Sequence, residues 1–136
     1  MSMPRIESCM DRQTHAVQAG DDLHQVIRTL IDESVTGVIV VDADNKPVGM
    51  LTEAECLKLL SQGSDGEVPR GKVGDFMCEV VCVKPEMDIY YTAGLFNANP
   101  TRRRFAVVDA SNTLIAVVTR KDILKLVQAE LLQRTS

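Results

Sequence analysis

Aromatic side chains are scarce in this sequence: they make up 4% of it, with no tryptophan, two tyrosines and three phenylalanines. The one dense basic run, Arg102-Arg103-Arg104, therefore lacks the aromatic interleaving and second basic cluster that a nucleic-acid surface would bring. A net charge of −4 also argues against a nucleic-acid footprint over the whole domain. No apolar run approaches the roughly 20 residues that span a bilayer. The start, Met1-Ser2-Met3-Pro4-Arg5, has one charge and no apolar block behind it, so neither membrane nor signal peptide is expected. Cys9, Cys56, Cys78 and Cys82 form no C-x-x-C pair, and only two histidines are present. No metal site is expected, and the thiols read as reduced ones in a cytoplasmic protein. His15 and His24 have no evident nucleophile partner, and a phosphate loop is absent. Beside Cys78 and Cys82 stands only Lys84 to lower a thiol pKa. No catalytic residue is assigned, and the chain does not read as an enzyme.

What remains is one domain's worth of ordinary globular sequence, 136 residues with 45% hydrophobic and 25% charged side chains. It repeats itself. Val40-Val41-Asp42-Ala43 recurs as Val107-Val108-Asp109-Ala110, an offset of 67 residues (42 to 109). The same offset aligns Asn45 with Asn112, Thr52 with Thr119, Leu57-Lys58-Leu59 with Leu124-Lys125-Leu126, Ile6 with Val73 and Met10 with Met77. The expected organisation is a first repeat over 1–60, a polar, glycine-bearing linker over 61–72, and a second repeat over 73–136. Each repeat alone is too small for a comfortable core, so the two should pack their sheets together.

Within each repeat the pattern reads β-α-β-β-α, an α/β (α+β) fold class. Val38 to Val41 and Val48 to Leu51 flank an Asp-Asn turn, as do Phe105 to Val108 and Leu114 to Val118. Leu23, Val26, Ile27, Leu30 and Ile31 make one helical face, preceded by Asp21 and Asp22. The second copy of that helix is weaker, with Ile89, Ala93 and Phe96 on its stripe. Thr52 and Thr119 open the last helix of each repeat, the second running to about Leu132. Leu126, Leu131 and Leu132 on it are expected to be exposed and to favour dimerisation.

The chemistry concentrates at Thr119-Arg120-Lys121-Asp122 and its counterpart Thr52-Glu53-Ala54-Glu55. For Thr52 and Glu55 a capping box accounts for the pattern. At Thr119 and Asp122 a ligand competes, because a helix start offers backbone N–H groups to phosphate and an aspartate can accept from two ribose hydroxyls. Asp122, with its shorter stem, reads as the poorer capping partner. Arg103 and Arg104 should point in different directions, one of them toward Thr119, with Arg120 and Lys121 adding positive charge.

Taken in order, Ile6-x-x-x-Met10 and Val73-x-x-x-Met77, the Val-Val-Asp turns and the two strand-Thr-x-x-acid segments resemble a tandem pair of CBS (cystathionine-β-synthase) domains, a Bateman module. The resemblance implies two β-α-β-β-α repeats packed about a pseudo-two-fold axis, often paired as a homodimer, with AMP, ADP, ATP or S-adenosylmethionine as ligand and no required cofactor. Both ribose-phosphate signatures depart once from the family pattern: Ala116 replaces glycine in the second, and Glu55 replaces aspartate in the first. By the same resemblance the preferred site has Asp122 on the ribose, Thr119 and Arg103 on phosphate, Val117 against adenine, and Arg104, Arg120, Ser8, Thr14 and His15 nearby. A weaker second cleft takes Thr52, Glu55, Thr36 and Asp75. The expected function is a regulatory module that binds an adenine nucleotide and signals to a protein partner; the alternative is a ligand-free structural module for dimerisation and protein contact.

Overall fold

A computed structural model describes residues 3–63 and 70–131. Residues 64–69, in the expected linker, and 132–136, with Leu132, lie outside the described residues.

The chain folds as a mixed α+β protein with two three-stranded sheets and four α-helices among the described residues. In chain order the elements are β1 (Val17–Gln18), α1 (Leu23–Asp32), β2 (Gly37–Val41), β3 (Pro47–Thr52), α2 (Glu53–Ser61), β4 (Cys82–Val83), α3 (Ile89–Ala98), β5 (Arg104–Val108), β6 (Leu114–Thr119) and α4 (Arg120–Leu126). One sheet runs β1-β2-β3 and the other β4-β5-β6. The first pair in each is parallel and the second antiparallel.

The two hairpin turns share one construction. Asp42 Oδ1 accepts from the N–H groups of Asp44 at 2.9 Å and Lys46 at 3.0 Å. Asp109 Oδ1 accepts from Ser111 at 2.9 Å and Thr113 at 3.0 Å. Asn45 (φ 60°) and Asn112 (φ 64°) take the left-handed residue of each turn, a conformation asparagine tolerates. The repeated Val-Val-Asp-x-x-Asn is thus a turn built from an Asx carboxylate and an αL asparagine.

Two compact units arise, and each draws on both repeats: one is 1–14 with 81–136, the other 15–80. Ile6, on a 3-10 turn, is fully buried with Val83, Ile89, Phe96, Phe105, Val107, Val118 and Ile123 of the later sequence. Val73, its repeat equivalent, is fully buried with Leu23, Val26, Val38, Val40 and Leu51 of the earlier sequence. Each repeat therefore donates its opening turn to the core of the other.

Asp22 caps α1 by accepting from His24 N at 2.9 Å, and Asp88 caps α3 by accepting from Tyr91 N at 2.8 Å. The buried stripe of α3 differs from its sequence reading. Ala93 is exposed, and the inward residues are Ile89, Thr92 and Phe96. Thr92 is tolerated there because its hydroxyl donates to Asp88 O at 2.9 Å. The last helix also differs: regular α-helix stops at Leu126 and continues as a π-helical stretch, Val127–Leu131. Leu126 is not exposed but buried against Ile123 and Phe105 in the core, because α4 turns it inward three residues after Ile123. The exposed leucine on α4 is Leu124, and its repeat equivalent Leu57 on α2 is exposed as well.

Candidate functional site

The strand β5 begins at Arg104, which pairs across the ladder with Thr119 at the end of β6. Directly opposed residues share a face with Cβ atoms roughly 5 Å apart, so Arg104 and Thr119 project together. Thr119 then starts α4. Its hydroxyl accepts from Asp122 N at 3.3 Å, and Asp122 Oδ2 accepts from Thr119 N at 2.9 Å, a reciprocal capping box. The expectation for the two repeats is thereby reversed. Thr52 accepts from Glu55 N at 3.2 Å, but no return bond from Glu55 closes a box there. The short stem of Asp122 suits the return contact to Thr119 N. α4 has only seven residues, so its dipole is short, and the side chains carry the argument for a site.

A third wall comes from the N-terminal segment. Asp11 forms an antiparallel bridge with Val117: Asp11 N donates to Val117 O and Val117 N to Asp11 O, both at 2.8 Å. Its carboxylate accepts from Gln13 N at 2.9 Å and turns the chain. Asp11 is a residue of this surface that the sequence reading does not single out. Its signal was its place directly after the Met10 anchor, where the other repeat has Cys78 after Met77. Cys78 makes the equivalent bridge to Met50, with N···O distances of 2.8 and 2.9 Å.

Asp11 and Asp122 both act electrostatically on Arg104. Burial pushes the guanidinium pKa below its ordinary value, and the two carboxylates push it back up. Arginine remains charged throughout the accessible pH range. Its Nε is buried and has no hydrogen-bond partner, so the group is desolvated and still short of an acceptor. Cys9 borders the same charge: burial, then Asp122, raise its thiol from 9.0 to about 11.

The other expected residues are distributed as follows. Arg103 is exposed, whereas Arg104 is half-buried. Val117 is buried and Ala116 fully so. Ser8 closes the 3-10 turn and is exposed, and Thr14 is half-buried. His15 belongs to the other unit, at φ 49°, with Nδ1 4.0 Å from Glu33 Oε2. Arg120 serves the helix before it. Its Nη2 donates to Phe96 O at 3.2 Å and Asn99 O at 3.3 Å, and its Cζ lies 4.9 Å from the Phe96 ring centre. That guanidinium closes the carboxyl end of α3.

In the unit 15–80 the counterpart of Arg104 is Gly37, and the counterpart of Asp122 is Glu55. Thr36 O accepts from Glu53 N at 2.9 Å beside Thr52, while Asp75 is exposed at the end of its 3-10 turn. Met77 lies against Gly49, where an added Cβ would stand 2.6 Å from its sulfur. Met77 and Cys78 O thus cover Gly49, and a glycine stands at the position equivalent to Arg104. Among the described residues no three His, Cys, Asp or Glu side chains gather as a metal site. No helix there is long and apolar enough to cross a membrane.

Comparison with known proteins places these features in context. The family profile of the CBS domain matches twice, over residues 6–62 and 73–129. An inosine-5′-monophosphate dehydrogenase of Methanocaldococcus jannaschii is 32% identical over 110 residues, which is 80% of this chain and 21% of that protein. The chain thus spans about a fifth of that relative's length. Among solved structures, CBSX2 of Arabidopsis thaliana, in complex with AMP, superposes with a TM-score of 0.78 at 24% identity, covering 98% of this chain and 99% of that one. The CBS domain pair of protein MJ0100, in complex with 5′-methylthioadenosine and S-adenosyl-L-methionine, gives 0.80 at 17% identity, covering 95% and 99%.

Proposed function

We propose that this chain, which belongs to the CBS domain family, is a regulatory module whose 1–14/81–136 unit binds an adenosyl ligand and passes that occupancy to a protein partner. The observation that carries the reading is Arg104: a charged side chain with a buried Nε lacking any acceptor, set beside Thr119 and Asp122. A buried donor without a partner costs free energy that an incoming acceptor recovers. Asp122 spends one carboxylate oxygen on Thr119 N. A carboxylate has about four acceptor positions, so Asp122 keeps capacity for ribose hydroxyls. Ligands found with solved relatives, AMP in one and 5′-methylthioadenosine with S-adenosyl-L-methionine in another, support this chemical class.

The unit 15–80 is proposed as the weaker or empty one, since Gly37 and Glu55 replace Arg104 and Asp122 and Met77 covers Gly49. Leu57 and Leu124, 65% and 66% exposed at equivalent positions of the two repeats, support self-association or contact with the regulated protein. No step of this function asks for catalysis, and the module acts by differential affinity of its ligand for two states. Isothermal titration of nucleotide-stripped protein with adenosyl ligands tests the proposal. Binding should be lost in Arg104→Gln and Asp122→Ala and kept in Glu55→Ala; retention in both of the first two variants would refute it.

A further inference from the structure

The proposed site sets one cation, Arg104, on the face of β5 and β6 that Asp11 meets at Val117 and Asp122 at Thr119, and that balance bears on which ligand it accepts. Asp11 reaches the site through its backbone: the paired 2.8 Å bonds to Val117 fix where its carboxylate begins, and the bond to Gln13 N fixes its rotamer. Asp122 is fixed by its capping box. Neither acid comes within 4.0 Å of Arg104 as an ion pair among the described residues, so neither satisfies the buried Nε. The two carboxylates leave the arginine available while making the local sum of these three charges negative. Arg103 and Lys121 are exposed, where their charges are screened over about 8 Å at physiological salt.

Resting on the proposed adenosyl site, we infer that Asp11 is a specificity-determining residue, which makes the site select an adenosyl ligand bearing one anionic group over one bearing a polyphosphate. A single phosphate monoester, or the carboxylate of an amino-acid tail, satisfies Arg104. Each additional phosphate adds negative charge within reach of Asp11 and Asp122, while Arg120, half-buried like Arg104, is engaged at the end of α3. One carboxylate about 8 Å from one phosphate charge, at an effective dielectric of about 20–40, is worth roughly five- to thirtyfold in affinity.

The test is calorimetric titration of the stripped full chain, free of divalent cations, with 5′-methylthioadenosine as neutral reference and with AMP, S-adenosylmethionine and ATP. AMP or S-adenosylmethionine should bind at least roughly tenfold tighter than ATP. Asp11→Asn keeps an oxygen for Gln13 N and both backbone bonds, so it removes charge alone; it should narrow the preference over ATP by roughly fivefold or more. Raising KCl on the unmodified chain should narrow it in the same direction and does not depend on how the variant folds. ATP binding as tightly as AMP and S-adenosylmethionine would overturn the inference. So would a preference that neither Asp11→Asn nor salt moves, or a neutral reference that binds tightest. If none of the four ligands binds, the adenosyl reading itself fails and the inference falls with it.

Discussion

At the scale of single residues, burial and local hydrogen bonds decide which side chains the fold holds and which it leaves for the proposed site. Asp122 closes the start of α4 and stands beside Arg104. Removing the cap at Thr119→Ala should cost about 1 kcal/mol of stability, measured by urea unfolding. Arg120, expected in the site, is engaged by the last carbonyls of α3 and by the Phe96 ring. Arg120→Ala should lower stability by about 1–2 kcal/mol while leaving ligand affinity within a factor of about two; an affinity loss without unfolding would return it to the site. Cys9 gives a pH signature. Its folded pKa, about 11, lies above the 9.0 of an ordinary thiol, so the folded state holds a proton that the unfolded state releases between these values. Its contribution is present below pH 9 and lost as pH rises toward 11. The melting temperature should therefore fall more steeply over that window in the native chain than in Cys9→Ser, and alkylation of Cys9 at pH 8.5 should be slow until the protein unfolds.

At the scale of elements, the feature that organises the molecule is the exchange of opening turns. Ile6 and Val73 are each fully buried in a cluster made mostly by the other repeat's strands and helices. Ile6→Ala should cost about 2–5 kcal/mol, since it leaves a cavity against Phe105 and Ile89. A loss of under about 1 kcal/mol in denaturant would mean that the N-terminal turn is not docked. The offset of 67 residues (6 to 73) marks the two residues as equivalents in the sequence alone. Their exchange was not visible, because periodicity reports which residues are buried and says nothing of which cluster receives them. The hairpins were readable because turn chemistry is local: the Asp42 and Asp109 carboxylates accept from residues two and four positions away. The stripe of α3 was misread at Ala93 because Thr92 can be buried once its hydroxyl bonds back to Asp88, a satisfaction that a hydropathy pattern does not register.

At the scale of the whole molecule, a chain of the CBS family carries one unit with a half-buried arginine opposite Thr119 and another with a glycine at the equivalent position. Thr119 was legible because it recurs as Thr52 after a repeated strand, and Asp122 and Arg104 because they stand at fixed places beside that strand pair, where the first repeat has Glu55 and Gly37. Asp11 was not legible because the partner of that residue, Val117, lies about a hundred residues away, a separation no local motif spans. The asymmetry of the two units predicts one strong binding event per chain. The most direct measurement is thermal unfolding of the stripped protein with and without AMP, 5′-methylthioadenosine and S-adenosylmethionine, beside Asp122→Ala. A ligand at about 100 times its dissociation constant should add roughly 2.7 kcal/mol, which for a domain of this size raises the midpoint by roughly 5–10 °C. The account predicts such a rise with at least one of these ligands and its loss in the variant. An unmoved midpoint at millimolar concentrations of all three would contradict it and leave the chain a structural module for protein contact.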